Sequence, residues 1–237
     1  MTDFGHDLVL VGGGLASGLA ALSLRRLRPE LDIAIVDREA RIGGNHVWSF
    51  FDSDIDPAHR WLVDPLTSHR WSGYDVCFPE YGRTFSTGYN AILSDRFDEA
   101  VRSAMPARSL YLSQAVTGVT PASITLADGR VLHARAVIDG RGAGDFSSLR
   151  LGWQKFVGQE LVLDRPHGLC LPVIMDATVP QTDGYRFVYL LPFGADRLFV
   201  EDTYYGDTAD IDLEVLRGRI TAYAAAKGWE ILSVARE

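Results

Sequence analysis

The stretch DLVLVGGGLASGLAALSLRRLRPELDIAIVDRE, residues 7–39, leaves this chain few folds to choose from. Residues 7–11 are a near-continuous apolar run, as expected of a strand buried on both faces of a parallel sheet. Three glycines follow at once. Residues 15–28 then read as a helix: rich in Ala and Leu, basic in its last turns, with Pro29 just beyond. A second apolar strand, residues 33–36, ends in Asp37. Strand, glycines, helix, strand and terminal acid in this order form a dinucleotide-binding unit. Gly12 makes the tight turn. Gly13 and Gly14 let main-chain N–H groups approach a pyrophosphate, which rests on the helix start at Leu15 and Ala16. The third small position is Ser17, with Gly18 beside it. Asp37 is placed to accept hydrogen bonds from ribose hydroxyls, and an acid there argues against a 2′-phosphate. The pattern alone does not separate FAD from NAD. Gly43 and Gly44, a few residues on, mark a second approach to a flavin nucleotide or a simple loop turn.

Beyond residue 50 the texture changes. Trp61, Trp71, Tyr74, Phe78, Tyr81, Phe85 and Tyr89 crowd into short segments broken by Pro and Gly. This predicts a strand-rich insertion, its aromatic residues serving as core or as the lining for an extended apolar ligand. Residues 94–105 read as a capped helix with Phe97 and Val101 four apart. Asp128-Gly129 signals a hairpin. The strand at 134–138 ends in Asp139-Gly140-Arg141-Gly142, where the chain returns to the cofactor, or where Arg141 is a solvated turn residue. From residue 151 a second region begins. Residues 184–193 and 197–205 form a hairpin through the four-residue turn GADR, Gly194 to Arg197, and residues 212–227 form a helix stopped by Gly228. The fold class is α/β: a Rossmann-type FAD/NAD(P)-binding domain (1–52 and 90–150, discontinuous) with a mixed-sheet substrate domain (53–89 and 151–237).

The chain has 237 residues, 47% hydrophobic and 23% charged, with a net charge of −8. That suits a globular protein with a sizeable core and gives no global basic footprint for nucleic acid. Two cysteines do not make a disulfide framework, no apolar run is long enough to span a bilayer, and no metal site is assigned. The expected location is cytoplasmic, with any membrane contact peripheral.

The stretch LFVEDTYY, residues 198–205, places Glu201 and Asp202 side by side in an apolar strand. Side chains alternate on a strand, so the two point to opposite faces. With a four-residue turn, Glu201 pairs with Leu190 and Asp202 with Tyr189. One carboxyl, desolvated, becomes a proton donor; alternatively, the pair is structural. Periodicity does not choose between them.

The strings VGGGLASGLAA, RIGGNHVWSF, HRWSGYDVCFP, VIDGRG, GWQKFVGQE, DGYRFVYLLPF and FVEDTYY together resemble the bacterial lycopene β-cyclase family of carotenoid synthesis over essentially the whole chain. The resemblance implies a fold like that of the aromatic-hydroxylase flavoproteins, reduced FAD as cofactor, NAD(P)H as electron source, and peripheral association with the inner membrane that holds lycopene. It implies a redox-neutral cyclisation: protonation of a ψ-end double bond, attack on the cation by a neighbouring double bond, and proton loss to a β-ionone ring, giving γ-carotene and then β-carotene. It assigns Glu201 as the acid, with Asp202 as the alternative, and places Gly12, Gly13, Gly14, Leu15, Ala16, Ser17, Asp37, Gly43, Gly44, His46, Asp139 and Arg141 at the cofactor. Trp48 is a secondary candidate. The family's chain continues beyond the acidic strand to a Gly-Asp motif on the flavin side of FAD, which is not matched here, so the chain is expected to be C-terminally incomplete. The competing expectations are a flavin-dependent hydroxylase or reductase of the same fold, and an inactive or partner-binding fragment.

Overall fold

The computed structural model describes residues 5–142, 144, 146–182 and 184–237. In its first part the chain forms β1 (His6–Val11), α1 (Leu15–Leu27), β2 (Ile33–Val36), β3 (Val47–Phe51), α2 (Arg60–Val63), β4 (His69–Trp71), β5 (Tyr74–Phe78), β6 (Tyr81–Phe85) and β7 (Tyr89–Leu93). Then come α3 (Ser94–Ala104), β8 (Leu110–Tyr111), β9 (Val116–Thr120), β10 (Ser123–Leu126) and β11 (Val131–Asp139). The last part holds β12 (Trp153–Leu163), β13 (Val173–Asp176), β14 (Arg186–Pro192), β15 (Arg197–Gly206), α4 (Leu213–Ala226) and β16 (Ile231–Arg236). Two compact units result. The first takes Met1–Phe50, Asp54–Ser68 and Asn90–Phe146; the second takes Phe51–Ser53, His69–Tyr89 and Ser147–Glu237.

The first unit is built on a six-stranded sheet in the order β8-β2-β1-β11-β10-β9. β1 lies parallel to both β2 and β11, with Val11 level with Val36 and with Asp139. That register brings three loops to one edge: the glycines after β1, Asp37 after β2, and Gly140-Arg141 after β11. Ligands of open α/β sheets bind at such a carboxyl edge. The faces of β1 divide by alternation. Leu10 packs with Ile33, Ile35, Phe97 and Val101 under α1 and α3, while Val9 and Val11 pack with Ile124, Leu126 and Ala134 on the other side. Each fully buried aliphatic residue contributes about 1.5–3 kcal/mol. Gly18 lets α1 approach α3: a Cβ there would sit 2.3 Å from Cζ of Phe97.

The expected strand-rich insertion is only partly so. Residues 52–66 are helical turns, and Trp61 lies in α2, where Arg26 stacks 4.2 Å from its ring centroid. Local chemistry explains this. Asp56 caps the turn by accepting from the Ala58 N–H at 2.8 Å, and Pro57 occupies the first helical position, where its missing N–H is harmless.

The second unit holds a seven-stranded sheet in the order β16-β12-β15-β14-β13-β5-β6. α4 covers one face, burying Leu216, Ile220, Tyr223 and Ala224 against Val157, Leu161, Val188, Leu198 and Val200. Asp212 caps it by accepting from the Val215 N–H at 3.1 Å. The β14–β15 register corrects the sequence expectation. Glu201 pairs with Tyr189, not Leu190, and Asp202 pairs with Val188, not Tyr189. The reason is the turn. The N–H groups of Phe193 and Gly194 both donate to the Arg197 carbonyl, so Arg197 belongs to the strand and three residues make the turn. One residue fewer in the turn shifts every partner by one.

Candidate functional site

The glycine loop, the ends of β2 and β11, and the segment after residue 37 surround a cleft of about 650 Å³ in the first unit. Of the expected cofactor residues, Gly12, Gly13, Gly14, Asp37, Gly43, Gly44, His46 and Arg141 line it. Leu15, Ala16, Ser17 and Asp139 do not. Leu15 and Ala16 open α1 behind the loop. Ser17 is buried against the β11 loop, so close that a Cβ on Gly140 would come within 2.6 Å of its hydroxyl oxygen. Gly12 has φ +92° and faces Gly140, whose carbonyl oxygen a Cβ would approach to 2.8 Å. Gly14 meets nothing within 4 Å. It leaves the start of α1 open, and that helix end carries no side-chain cap and no acid in its first turn. Unpaired N–H groups at such an end favour an anion.

Asp37 is held in place by main-chain donors. Its carboxylate accepts from the Gly13 N–H at 2.5 Å and from the Glu39 N–H at 2.7 Å. The loop with Gly43 and Gly44 is tied on both sides: Gly43 donates to the Gly13 carbonyl at 2.7 Å, and Asp98 of α3 accepts from the Ile42 N–H at 2.8 Å. Gly43 has φ +79°, and a Cβ there would strike the Trp48 ring at 2.8 Å. Trp48 thus packs under the loop, edge-on to Phe97. Arg141 is clamped to Asp139 through two hydrogen bonds of 2.8 and 2.7 Å, which hold the Asp139 carboxyl below its usual range, and it reaches the Val116 carbonyl at 3.1 Å. The cleft also has lining that the sequence reading missed, including Arg38, Gln114 and Val116. Gln114 and Val116 arrive because β8 extends the parallel sheet by one short strand, whose two residues carry no legible pattern.

A geometry of another kind surrounds the acidic pair in the second unit. Asp202 shares the α4 face with Val188 and Val157. It is wholly buried. Arg186 donates through Nε to both carboxylate oxygens at 3.0 Å and through Nη2 to one of them, and Arg219 of α4 stands 4.0 Å away. A charge so completely paired belongs to the core.

Glu201 points to the opposite face. Tyr189 lies directly across from it on β14, and Gly158 on β12. The missing side chain of Gly158 makes room for Phe199, whose ring atoms would lie 2.3–3.2 Å from a Cβ there. Tyr189 meets Phe199 and Tyr89 edge-on at 6.5 Å, and its hydroxyl bonds that of Tyr89 at 2.7 Å. Phe193 stacks 6.0 Å from Phe199 and 4.4 Å from His69. Burial lowers the His69 pKa, which favours a neutral imidazole. Glu201 therefore stands among rings. Burial pushes its carboxyl up to about 7, opposed by the Thr203 hydroxyl, which donates to Oε1 at 2.8 Å. A neutral acid beside apolar faces can protonate an electron-rich group.

None of the helices among the described residues is long and apolar enough to cross a membrane. The chain is similar to solved structures at the level of fold. A 2-methyl-3-hydroxypyridine-5-carboxylic acid oxygenase matches with a TM-score of 0.60 and 15% identity, over 93% of this chain and 66% of that one. A geranylgeranyl bacteriochlorophyll reductase-like protein from Thermoplasma acidophilum matches with a TM-score of 0.63 and 14% identity, over 98% of this chain and 65% of that one. These likenesses, with the parallel β8-β2-β1-β11 core, establish a Rossmann-type α/β fold. Sequence relatives are much nearer. The chain is 47% identical over 233 residues to a lycopene beta-cyclase of Pseudescherichia vulneris and 46% to one of Pantoea ananas. A lycopene beta-cyclase of Paracoccus sp. is 42% identical. Each match covers 98% of this chain but only 60% of the relative's length. The family model described as lycopene cyclase protein matches residues 7–237. The chain belongs to the lycopene cyclase family.

Proposed function

We propose that this chain carries the proton donor and the nucleotide cleft of a lycopene β-cyclase. The observation that carries the reading is Glu201: a carboxyl with its pKa raised to about 7, on the aromatic face of the sheet, while its neighbour Asp202 is consumed by Arg186. Glu201 is the acid. It transfers its proton to a terminal carbon–carbon double bond of lycopene; a C–H bond forms, and the π pair leaves a tertiary cation. A neighbouring double bond attacks the cation, and loss of a proton completes a β-ionone ring with no net redox change. The faces of Tyr189 and Phe199 offer the cation negative quadrupole charge without a competing nucleophile. One round gives γ-carotene and two give β-carotene. Asp202 is structural.

The cleft of the first unit suits FAD. Gly12–Gly14 and the uncapped start of α1 would hold its pyrophosphate, and Asp37 its adenosine ribose. Bound and reduced with electrons from NAD(P)H, the cofactor supplies negative charge to the reaction. The first unit is thus the cofactor-binding domain and the second the substrate domain. Lycopene is a membrane solute, so the working location is the cytoplasmic face of the inner membrane, held peripherally.

The test is expression in lycopene-accumulating bacteria, of the chain alone and joined to the portion of a curated relative that the match does not span. A change from red to orange-yellow, with β-carotene by chromatography, is the expected result; unchanged lycopene from both overturns the reading. A hydroxylase or reductase on this fold would consume NAD(P)H in proportion to product, and the cyclase does not.

A further inference from the structure

Thr203 is fully buried and lies two residues beyond Glu201 on β15, hence on the same face. Its hydroxyl donates to Oε1 of Glu201 at 2.8 Å. We propose that Thr203 is a positioning residue that fixes the Glu201 carboxyl and sets its acid strength, so that Oε2 carries and delivers the proton. This rests on the reading of Glu201 as the acid and extends it.

The argument starts from what else stands on that face. Tyr189 is across the ladder, and its hydroxyl is engaged with that of Tyr89. Gly158, the neighbour on β12, has no side chain. The charged groups further along are Glu160 of β12 and Arg197 of β15, which bond each other at 2.9 Å. His69, of β4, interacts electrostatically with Glu160. Tyr205 lies beyond Thr203 and donates to Gln154 at 3.4 Å. Lys155, Arg186 and Arg219 serve the other face, with Tyr204 and Asp202. The Glu201 carboxyl thus has desolvation pushing it toward the neutral form and one hydroxyl pulling it back.

Donation to Oε1 does two things. It orients the carboxyl plane, leaving Oε2 as the protonated oxygen. It also stabilises the carboxylate that remains when the O–H bond breaks and the proton joins the alkene carbon. Without the hydroxyl, Glu201 would be neutral over a wider pH range and yet a weaker acid. Those two consequences run in opposite directions in a rate profile, which a loss of packing would not produce.

The experiment is a carboxyl titration of the purified full chain, read by infrared difference spectroscopy or carbon-13 glutamate resonances. Glu201→Gln identifies the signal. A hydrogen bond to a charged group corresponds to about one pH unit or more. Thr203→Val, of equal volume, is expected to raise the Glu201 midpoint by that amount, and Thr203→Ser to restore it. If Val at this buried position prevents folding, Thr203→Cys, a weak donor of similar size, is held to the same upward shift. In the cyclisation assay the alkaline limb of the Val variant moves up while the plateau rate falls. A raised wild-type midpoint that the folded Val or Cys variant leaves unmoved overturns the role of Thr203 alone. A Glu201 that titrates in the ordinary carboxylate range overturns the acid assignment, and the role of Thr203 with it.

Discussion

The two faces of the seven-stranded sheet treat a carboxylate in opposite ways. On the α4 side, Asp202 is wholly buried and carries a guanidinium within hydrogen-bonding distance of both its oxygens. On the other side, Glu201 receives one neutral hydroxyl and a surround of rings, and its pKa rises to about 7. The backbone positions are adjacent and the chemistry of the two groups is the same. What differs is the partner: a cation holds the charge in place, and an aromatic face refuses it. Strand alternation is therefore the device that lets one short segment hold a buried ion pair and, beside it, a carboxyl with no cation against it, without mutual interference.

The largest expected effect comes from removing the proposed donor. Glu201→Gln keeps shape and loses the proton, and general acids contribute about 10²–10⁴-fold to rate. Cyclisation by the active protein should fall by that factor, measured as β-carotene formed per unit of enzyme, with the melting temperature at neutral pH not lowered. Asp202→Asn should do the reverse. It strands the Arg186 charge in the core, for a loss of about 3–5 kcal/mol of stability, read by denaturant unfolding. Residual activity per folded molecule is expected to survive. Should Asp202→Asn fold normally and lose the chemistry while Glu201→Gln keeps it, the two faces have been assigned the wrong way round.

The first unit was more legible in the sequence than the second, and for a physical reason. Gly12, Gly14, Asp37 and the strand and helix between them are tied to one another through the backbone over a short span, so their spacing is the geometry. The hairpin of β14 and β15 depends on a turn whose length differs by one residue between two plausible readings, and nothing in GADR decides it. With it went the identity of the facing residues: Tyr189 was expected opposite Asp202 and stands opposite Glu201. Arg186, the partner that pairs with Asp202, was visible as the one cation in the apolar strand RFVYLLP, but pairing across a ladder needs the register first. Trp61 failed differently. An aromatic residue in a run of aromatic residues reads as strand, and the helical turn there is set by Asp56 and Pro57. The lining residues Gln114 and Val116 came from tertiary placement alone.

A smaller effect sharpens the contrast through pH. The Glu201 pKa stands at about 7 in the native state against 4.5 ordinarily. Its neutral form is the one the fold accepts, so the associated stability is full below about pH 4.5 and is lost as pH rises through 7. The difference amounts to roughly 3 kcal/mol at most. Glu201→Gln carries no charge to desolvate. It is expected to equal the native chain in unfolding free energy at pH 4–5 and exceed it at pH 8–9. Parallel pH curves for the two proteins would show that the ring face does not oppose ionisation.

The smallest effect probes the spacing of the rings themselves. Gly158 faces Glu201 across β12, and an added Cβ would lie 2.3 Å from Cζ and 2.8 Å from Cε2 of Phe199. Gly158→Ala must displace that ring, and overpacking of this kind costs about 1–3 kcal/mol. Alanine regains up to about 1 kcal/mol because it loses less chain entropy than glycine on folding. The net expectation is about 1–2 kcal/mol of destabilisation by denaturant unfolding. Gly14→Ala, with nothing within 4 Å of the new Cβ, is the comparison, and it should cost no more than about 1 kcal/mol, the value of a glycine cap over alanine. A displaced Phe199 also opens the Glu201 carboxyl to water, so the titration midpoint should move down toward the ordinary range in Gly158→Ala and stay unmoved in Gly14→Ala. An unchanged midpoint in Gly158→Ala would mean that Tyr189 alone supplies the apolar surround, and Phe199 would then have no part in setting the acid.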